Sequence, residues 1–308
     1  MLSVKELHLR AALLNAVRSF FSSRDFLEVD TPVRQPVILP ESNIEPLRCG
    51  DHFLQSSPEQ YMKRLLAHGC TNIFQLCPCF RREERGRHHL EEFTMLEWYR
   101  SGADYGDLMD DCRDLLFHIH LETSALFAGT GLSGMGRYLC LNEDGSDSPW
   151  PEITVEQAFQ RWSPISLIGA LNEESFDEIV VEHIEPKLGG TAPAFLCDYP
   201  ASMASLARKK HDDPSVAERF ELYIAGLEIA NGFSELTDGA EQRRRFDKEL
   251  ERIDCLTGRT ATMPEAFLRD LEKLDSCAGI AFGVDRLFML MLGKDDITDA
   301  VVFSPLEL

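Results

Sequence analysis

The densest group of chemically active side chains lies between residues 81 and 99. It begins with a run of cationic or imidazole side chains, namely Arg81, Arg82, Arg85, Arg87, His88 and His89. If residues 93–99 form a strand, its period of two places four side chains on one face, namely Phe93, Met95, Glu97 and Tyr99. An aromatic ring, a carboxylate and a phenol beside several cations suit a flat polyanionic ligand next to a cationic one. A charged run by itself is more often a solvated hairpin loop, so both interpretations stay open here.

A second group of acids lies on a predicted hairpin between residues 219 and 236. A two-residue turn at 225–226 would pair Tyr223 with Glu228 and place Glu221 diagonally across from Glu228. Two carboxylates on a mostly apolar hairpin are costly unless they bind a metal, another cation or hydrogen-bond donors. Just beyond them, three side chains alternate onto one face, namely Asn231, Phe233 and Glu235. Edge-strand acids that face water are an equally good interpretation of this stretch.

A third segment, GIAFGVDRL at residues 279–287, combines glycines with a cation. A glycine strand that runs into a helix lets the backbone approach a ligand closely, and Gly283 is the candidate for that approach. Arg286 lies in the first turn of the helix and could clamp a phosphate. A packed strand–helix corner with a surface arginine is the plainer alternative.

The elements that must position these side chains alternate between helices and strands. Apolar periodicity predicts helices over residues 9–21 and 107–126. A capping box at its start predicts a helix over 154–162, a proline opens one over 264–274, and further helices are predicted over 238–253 and 284–292. It predicts strands over residues 26–30, on both sides of the loop 81–92, over 195–199, as a pair in 219–235, and over 278–283. Residues 142–148 read as an exposed acidic turn, and the glycines in 128–136 as a plain loop. The fold class is therefore α+β, with several antiparallel strands.

Composition limits the class of partner. The 308 residues include 31 Lys and Arg against 52 Asp and Glu, which gives a net charge of −21. Such a chain repels nucleic-acid phosphates and anionic membranes over most of its surface. The nine cysteines are scattered without a metal-ligand spacing, which is typical of a reducing compartment. We therefore expect a cytoplasmic protein with no membrane or long RNA contacts.

The three segments, together with the N-terminal helix and strand that end at Pro32, resemble the signature motifs of class II aminoacyl-tRNA synthetases. FTMLEWY at 93–99, EIANGFSEL at 228–236 and GVDR at 283–286 are similar to the lysine branch of that class. The resemblance implies a class II synthetase-like catalytic domain, a mainly antiparallel sheet flanked by helices, over residues 1–308. Because the first motif begins at the N-terminus, we expect no anticodon-binding OB-fold domain.

Within the lysine branch, the chain resembles the free-standing ligases that attach (R)-β-lysine to elongation factor P. PASMASLA at 200–207, SPE at 57–59 and MKRLL at 62–66 are similar to that family. Ala281 is another point of similarity, since lysyl-tRNA synthetases usually have glycine there. The resemblance implies ATP-dependent formation of an aminoacyl adenylate and its transfer to a lysine ε-amino group of elongation factor P, without tRNA charging. It also implies a homodimer, built through the first motif.

The resemblance assigns roles residue by residue. Arg81 is expected to stabilise the α-phosphate as the substrate carboxylate attacks, and Arg286 to face the γ-phosphate. The other ATP-binding residues would be Arg82, Glu83, His89, Leu90, Phe93, Glu228, Ile229 and Gly283. The substrate-binding residues would be Ser57, Glu59, Glu97, Tyr99, Asn231, Phe233, Glu235 and Ala281. Glu221 and Glu228 would hold Mg²⁺, which prefers hard oxygen ligands.

One departure and two alternatives qualify this expectation. The family's His-Asn-Pro-Glu-Phe is replaced by HLEEF at 89–93, so Leu90 cannot offer an amide to ATP, and we expect weaker ATP binding. A ligase that uses α-lysine with another acceptor fits the same residues. A catalytically silent paralogue that binds nucleotide or lysine is the second alternative, and the retained Arg81, Glu228 and Arg286 argue against it.

Overall fold

A computed structural model of the chain describes residues 1–130, 132, 134–139 and 149–307. The predicted acidic turn at 142–148 and two residues of the predicted loop, Gly131 and Ser133, lie outside the described residues. Within the part that is described, none of the helices is both long and apolar enough to span a membrane.

Helices and strands alternate along the chain, and the predicted elements appear in the predicted order. The helices are α1 (Val4–Ser22), α2 (Glu59–Ala67), α3 (Tyr105–Ala128), α4 (Val155–Trp162), α5 (Leu167–Asn172), α6 (Phe176–Ile179), α7 (Gly239–Thr257), α8 (Glu265–Leu271) and α9 (Val284–Leu292). The strands are β1 (Leu27–Glu28), β2 (Arg34–Gln35), β3 (Arg48–Cys49), β4 (His52–Leu54), β5 (Asn72–Phe80), β6 (Glu92–Ser101), β7 (Glu152–Thr154), β8 (Ala194–Pro200), β9 (Val216–Ile224), β10 (Leu227–Ser234) and β11 (Cys277–Gly283). Short 3-10 or π turns cover Gly134–Arg137, Val180–Ile184, Glu185–Lys187, Ala201–Met203, Ile297–Asp299 and Pro305–Glu307.

Eight strands form one large sheet in the order β1-β5-β6-β11-β10-β9-β8-β7. The pairs β1/β5 and β7/β8 at its two edges are parallel, and the pairs between them are antiparallel. A small antiparallel sheet has the order β2-β4-β3. This arrangement confirms the predicted α+β class with a mainly antiparallel sheet flanked by helices.

One face of the large sheet is packed against α1, α3 and α9. Helix α1 begins with a capping box between Ser3 and Glu6, and its apolar stripe, which includes Leu13, joins the main core. On β6, Leu96 and Trp98 face this core, as the period of two predicts. Helix α1 is also tied to α9 by an ion pair between Arg10 and Asp285 at 2.7 Å. The opposite face of the sheet is therefore left for the polar side chains of the site.

The hairpin of β9 and β10 has the predicted turn but an additional irregularity. Ala225 and Gly226 both have positive φ, which matches the twist that a two-residue hairpin loop needs. Tyr223 pairs with Glu228 as predicted, but a bulge follows, so that Glu221 pairs with Asn231. In a regular strand, two residues that are three positions apart face opposite sides. Because of the bulge, Glu228 and Asn231 face the same side.

Some boundaries and elements differ from the predictions. The predicted strand at 26–30 is reduced to two residues, and helix α8 ends at Leu271 rather than Leu274. Pro264 lies at the N-cap of α8, one position before its first helical residue. Helices α2, α5 and α6, strand β7 and the small sheet were not predicted. The strands of the small sheet have only two or three residues each, which is too few for a clear hydrophobic period.

Candidate active site

The polar face of the large sheet forms the floor of a cavity of about 670 Å³. Its walls bring together most of the predicted site residues, namely Ser57, Glu59, Arg81, His89, Leu90, Phe93, Glu97, Tyr99, Glu221, Glu228, Ile229, Asn231, Phe233, Ala281, Gly283 and Arg286. The size lies within the range of small-molecule sites. Segments that are far apart in the sequence therefore meet in one place, as the motif analysis predicts.

One end of the cavity is rich in arginine. The Arg81 guanidinium lies 5.3 Å from the centre of the Phe93 ring, and its Nε donates to the Ser56 carbonyl oxygen at 3.4 Å. At the other side, Arg286 lies 2.7 Å from His89 Nε2 and donates to the Glu228 carbonyl oxygen at 2.8 Å. Burial and the Arg286 charge lower the pKa of His89, so its ring is mostly neutral at pH 7. Two fixed cations beside an aromatic ring are suited to a nucleotide with its phosphates.

Arg82 and Glu83 do not line the described cavity, although the sequence places them among the ATP-binding residues. Glu83 has a positive φ of 66°, and its side chain is exposed, with Oε1 3.4 Å from Arg82. The next residue, Glu84, lines the cavity instead and lies 3.6 Å from Arg81. The left-handed backbone at Glu83 turns the chain at that residue. The sequence around Glu83 is an unbroken run of charged residues, which gives no signal of such a turn.

The other end of the cavity is acidic and buried. The Tyr99 hydroxyl donates to Glu97 Oε1 at 2.6 Å, while the buried Glu97 Oε2 accepts no hydrogen bond within the described part of the chain. Burial, followed by the Glu59 charge, raises the pKa of Glu97 well above its usual value. A buried carboxylate oxygen without a donor is costly, and a ligand ammonium would supply the donor.

Lys63 is a member of this end that the sequence analysis missed. Its ammonium lies 2.5 Å from Glu59 Oε1 and pairs also with Glu235, and the Lys63 side chain is only 1% exposed. Burial alone would lower the pKa of Lys63, but the Glu235 and Glu59 charges raise it above its usual value. Glu59 and Lys63 are four residues apart on α2, which is the spacing of neighbours on a helix face. That spacing was the available signal, but it did not reveal Glu235 as the second partner.

Gly279 was also missed by the sequence analysis, and its lack of a side chain leaves room for Glu235. A Cβ on Gly279 would be 2.1 Å from Tyr99 Cε1 and 2.6 Å from Glu235 Oε1. Glu235 itself lies behind the cavity wall rather than in it. Glycine inside a strand often marks a close approach, so its position in GIAFG was a usable signal.

Glu221 and Glu228 face the cavity from neighbouring strands, but each already has partners. Glu221 accepts from Arg219 at 2.7 Å and from the Tyr223 hydroxyl at 2.7 Å, and Glu228 Oε2 lies 3.3 Å from Arg286. Burial and the Glu221 charge raise the pKa of Glu228. The residues that the structure describes contain no cluster of three or more His, Cys, Asp or Glu arranged to hold a metal. A divalent cation here would need oxygen ligands from a phosphate besides these two carboxylates.

Part of the cavity surface is apolar or lacks a side chain, and it comes from Leu90, Ala281 and Gly283. Leu90 is buried and belongs to the main core while it also lines the cavity. A Cβ on Gly283 would meet no atom closer than 3.5 Å, so the protein itself does not require glycine there. Gly283 lines the cavity, so a ligand can approach its backbone from that side. Ala281 lies between Glu97 on β6 and Asn231 on β10, at the centre of the floor.

Comparisons with known proteins agree with this architecture. Residues 3–307 match the family model described as tRNA synthetases class II (D, K and N). A protein of Pectobacterium carotovorum subsp. carotovorum (strain PC1) named elongation factor P–(R)-β-lysine ligase is 38% identical over 320 residues, which cover 98% of this chain and 95% of the relative. Proteins of the same name from Salmonella paratyphi A (strain ATCC 9150 / SARB42) and Salmonella heidelberg (strain SL476) are 36% identical over 317 residues, again 98% of this chain and 95% of each relative.

Proposed function

We propose that this chain is a ligase that activates (R)-β-lysine with ATP and transfers it to a lysine of elongation factor P. The chain belongs to the class II tRNA synthetases of the D, K and N group. The name of the relatives supports the substrate and the acceptor. The observation that carries the proposal is the buried acidic end of the cavity, where Glu97 Oε2 has no donor among the described residues, next to the arginine-rich end. The amino groups of a diamino acid would pair with the carboxylates at the acidic end, and the phosphates of a nucleotide with the arginines at the other end.

The first step forms the adenylate. The substrate carboxylate oxygen attacks the α-phosphorus of ATP, a C–O–P linkage forms, and the bond to pyrophosphate breaks with its electron pair leaving on pyrophosphate. Arg81 has the fixed charge to stabilise the crowded α-phosphate, while Phe93 stacks against the adenine ring. Arg286 and His89 lie together where they would hold the leaving phosphates. Positioning and electrostatics supply the rate enhancement in such a step.

Mg²⁺ fits the same end of the cavity. Glu221 and Glu228 present hard oxygen atoms on one face, and the phosphates of ATP would complete the ligand set, which is how Mg²⁺ is usually held. When bound, the ion neutralises charge on the phosphates. Arg219 and Arg286 hold the two carboxylates in place in its absence.

The amino acid is held at the acidic end. Glu97 and Tyr99, with Asn231 near them, would take the distal ammonium, and Ser57 and Glu59 would take the amino group near the carboxylate. Lys63 keeps Glu59 and Glu235 from repelling each other, so the pocket has a defined shape before the substrate arrives. Ala281 on the floor adds one methyl group, which changes the affinity for competing isomers by only ~1–3 kcal/mol.

The experiment that tests this function is pyrophosphate exchange with (R)-β-lysine and with α-lysine, each with and without Mg²⁺. We expect exchange with (R)-β-lysine, faster than with α-lysine, and amide formation on elongation factor P. Exchange with neither amino acid would refute the ligase function. Faster exchange with α-lysine would instead favour a ligase for another acceptor.

A homodimer belongs to this proposal as well. Exposed apolar side chains surround α1 and β1, and they include Val4, Leu7, Leu27 and Val33. A closed two-fold dimer would bury these apolar side chains. The single domain over residues 1–308, the cytoplasmic location and the absence of tRNA charging, which the charge of −21 supports, remain predictions.

A further inference from the structure

Part of the cavity wall has no role in the function proposed above. Residues 40–44 and helix α7 form this part, and Glu41 and Glu249 belong to it. The segment is anchored on both sides, because Leu39 packs in a cluster with Phe246 of α7, and the Ser42 N–H donates to Glu249 Oε2 at 2.9 Å. Glu41 is therefore held at the cavity on a fixed piece of backbone.

The Glu41 carboxyl group has no hydrogen-bond or ion-pair partner among the described residues, although it is only partly exposed. The charged groups that face it come from three elements: Glu59 and Lys63 of α2, Arg81 at the end of β5, and Glu249 of α7. Burial, followed by the Glu59 charge, raises the pKa of Glu41 to about 7. Its proton is therefore exchanged near neutral pH, where the carboxylates of most proteins are fully ionised.

The neighbours of Glu41 locate it relative to the reaction. Arg81 and Glu59 are the groups that the proposed function places at the α-phosphate and at the amino group near the substrate carboxylate. Glu41 lines the same cavity as both groups, and its carboxyl group interacts with both charges, so it belongs to the wall around the position where the adenylate would form. On its other side, α7 carries Lys248 and Arg252, which are exposed, line the cavity and form no ion pair within the described ranges. An acceptor protein that approaches over α7 would reach Glu41 before the adenylate.

We propose that Glu41 is the general base of the transfer step, and this inference rests on the proposed function. The acceptor lysine arrives as an ammonium, whose usual pKa is about 10.4, and it cannot attack until it loses a proton. The Glu41 carboxylate takes that proton, and the neutral nitrogen attacks the carbonyl carbon of the adenylate. The C–N bond forms, the bond from carbon to the phosphate oxygen breaks, and AMP leaves with its electron pair. The second proton of the nitrogen goes to the departing phosphate.

The test separates the two half-reactions in the full-length Glu41→Gln variant. Pyrophosphate exchange should stay within about threefold of the wild-type rate, since the base has no part in adenylate formation. Single-turnover transfer from the preformed adenylate to elongation factor P should fall by roughly 10²–10⁴-fold at neutral pH, the usual contribution of general base catalysis. The wild-type transfer rate should rise with pH through about 7, where the folded carboxyl ionises, and the variant should lose this inflection.

Two controls make the outcome specific. Hydroxylamine is unprotonated at neutral pH, so it should accept the aminoacyl group equally well from the variant and the wild type. Glu251→Gln on α7, an exposed residue outside the cavity wall, should leave both half-reactions unchanged. Transfer at the wild-type rate with an unchanged pH profile would overturn the proposal, as would a parallel fall of exchange and transfer. A wild-type protein without exchange would instead refute the proposed function before Glu41 is tested.

Discussion

Gly279→Ala tests the geometry of the acidic end most directly. The added Cβ would lie 2.1 Å from Tyr99 Cε1, 2.5 Å from Tyr99 Cδ1 and 2.6 Å from Glu235 Oε1. Ordinary contact begins at 3.4 Å, so the Tyr99 ring must move by about 1.3 Å. Tyr99 is 2% exposed and its hydroxyl is bonded to Glu97, while Glu235 is paired with Lys63. None of these groups is a flexible chain end in solvent, so the strain is not easily relieved.

The expected cost follows from this crowding. Overpacking a filled interior destabilises a protein by about 1–3 kcal/mol. For a chain of 308 residues, this corresponds to a fall in the melting temperature of roughly 2–5 °C. Activity should fall further, because a displacement of about 1 Å in a catalytic site can reduce the rate by 10²-fold. Thermal melting and pyrophosphate exchange measure the two effects separately.

Two glycines of the same chain provide matched controls. Gly190→Ala adds a Cβ that meets no atom of the described residues within 4 Å, so it should leave both the melting temperature and exchange unchanged. Gly283→Ala has its nearest contact at 3.5 Å and should leave the melting temperature unchanged while it raises the KM for ATP. If Gly279→Ala melts and exchanges like the wild type, the packing of Tyr99 and Glu235 against β11 is wrong.

Four further measurements probe the other parts of the site. Lys63→Met should destabilise the protein by about 3–5 kcal/mol in chemical unfolding, because it leaves buried carboxylates unpaired. Adding Glu235→Gln to this variant should restore part of the lost stability. Purely additive effects of the two substitutions would contradict the ion pair. Burial raises the pKa of Glu185 from 4.5 to about 7, so the folded protein favours the neutral carboxyl group. The folded state therefore becomes less stable as the pH rises from 4.5 to about 7 and this group ionises. Glu185→Gln should melt at a higher temperature than the wild type above about pH 7 and at the same temperature at pH 4.5. Glu228→Gln should raise the Mg²⁺ concentration for half-maximal exchange about tenfold, the equivalent of ~1.4 kcal/mol, and an unchanged Mg²⁺ requirement would remove this carboxylate from the metal site. Sedimentation should show a dimer at micromolar concentration that Leu27→Asp converts to a monomer, and a monomeric wild type would refute the dimer.

Much of the local structure could be predicted because its signals are local. The period of two on β6 correctly separated Glu97 and Tyr99 from Leu96 and Trp98, since successive residues of a strand face opposite sides. The turn at Ala225 and Gly226 was recognisable from Gly226, because glycine readily adopts a positive φ, although Ala225 adopts one as well. The strands of the small sheet escaped prediction because each has only two or three residues, which is too few to show a period.

The site itself shows where local signals end. Sequence reasoning placed Glu83 among the nucleotide contacts, but the left-handed backbone there directs Glu84 to the cavity instead. It read Lys63 only as part of MKRLL, a segment similar to the ligase family, because its partner Glu235 is far away in the sequence. Burial also decides the ionisation of Glu41, and burial is a property of the packed chain that no neighbouring residue reveals.

By itself, the sequence determined the class of fold, the order of the elements and the group of residues that meet in the cavity. Only the tertiary structure decided how those residues face one another. The bulge after Glu228 brings Glu228 and Asn231 to one side, although their spacing predicts opposite sides. The absence of a side chain at Gly279 leaves room for Tyr99 and Glu235. The physical reason is that periodicity and turn chemistry act between neighbours in the chain, while strand register, burial and ion pairing depend on segments that meet only when the chain has folded.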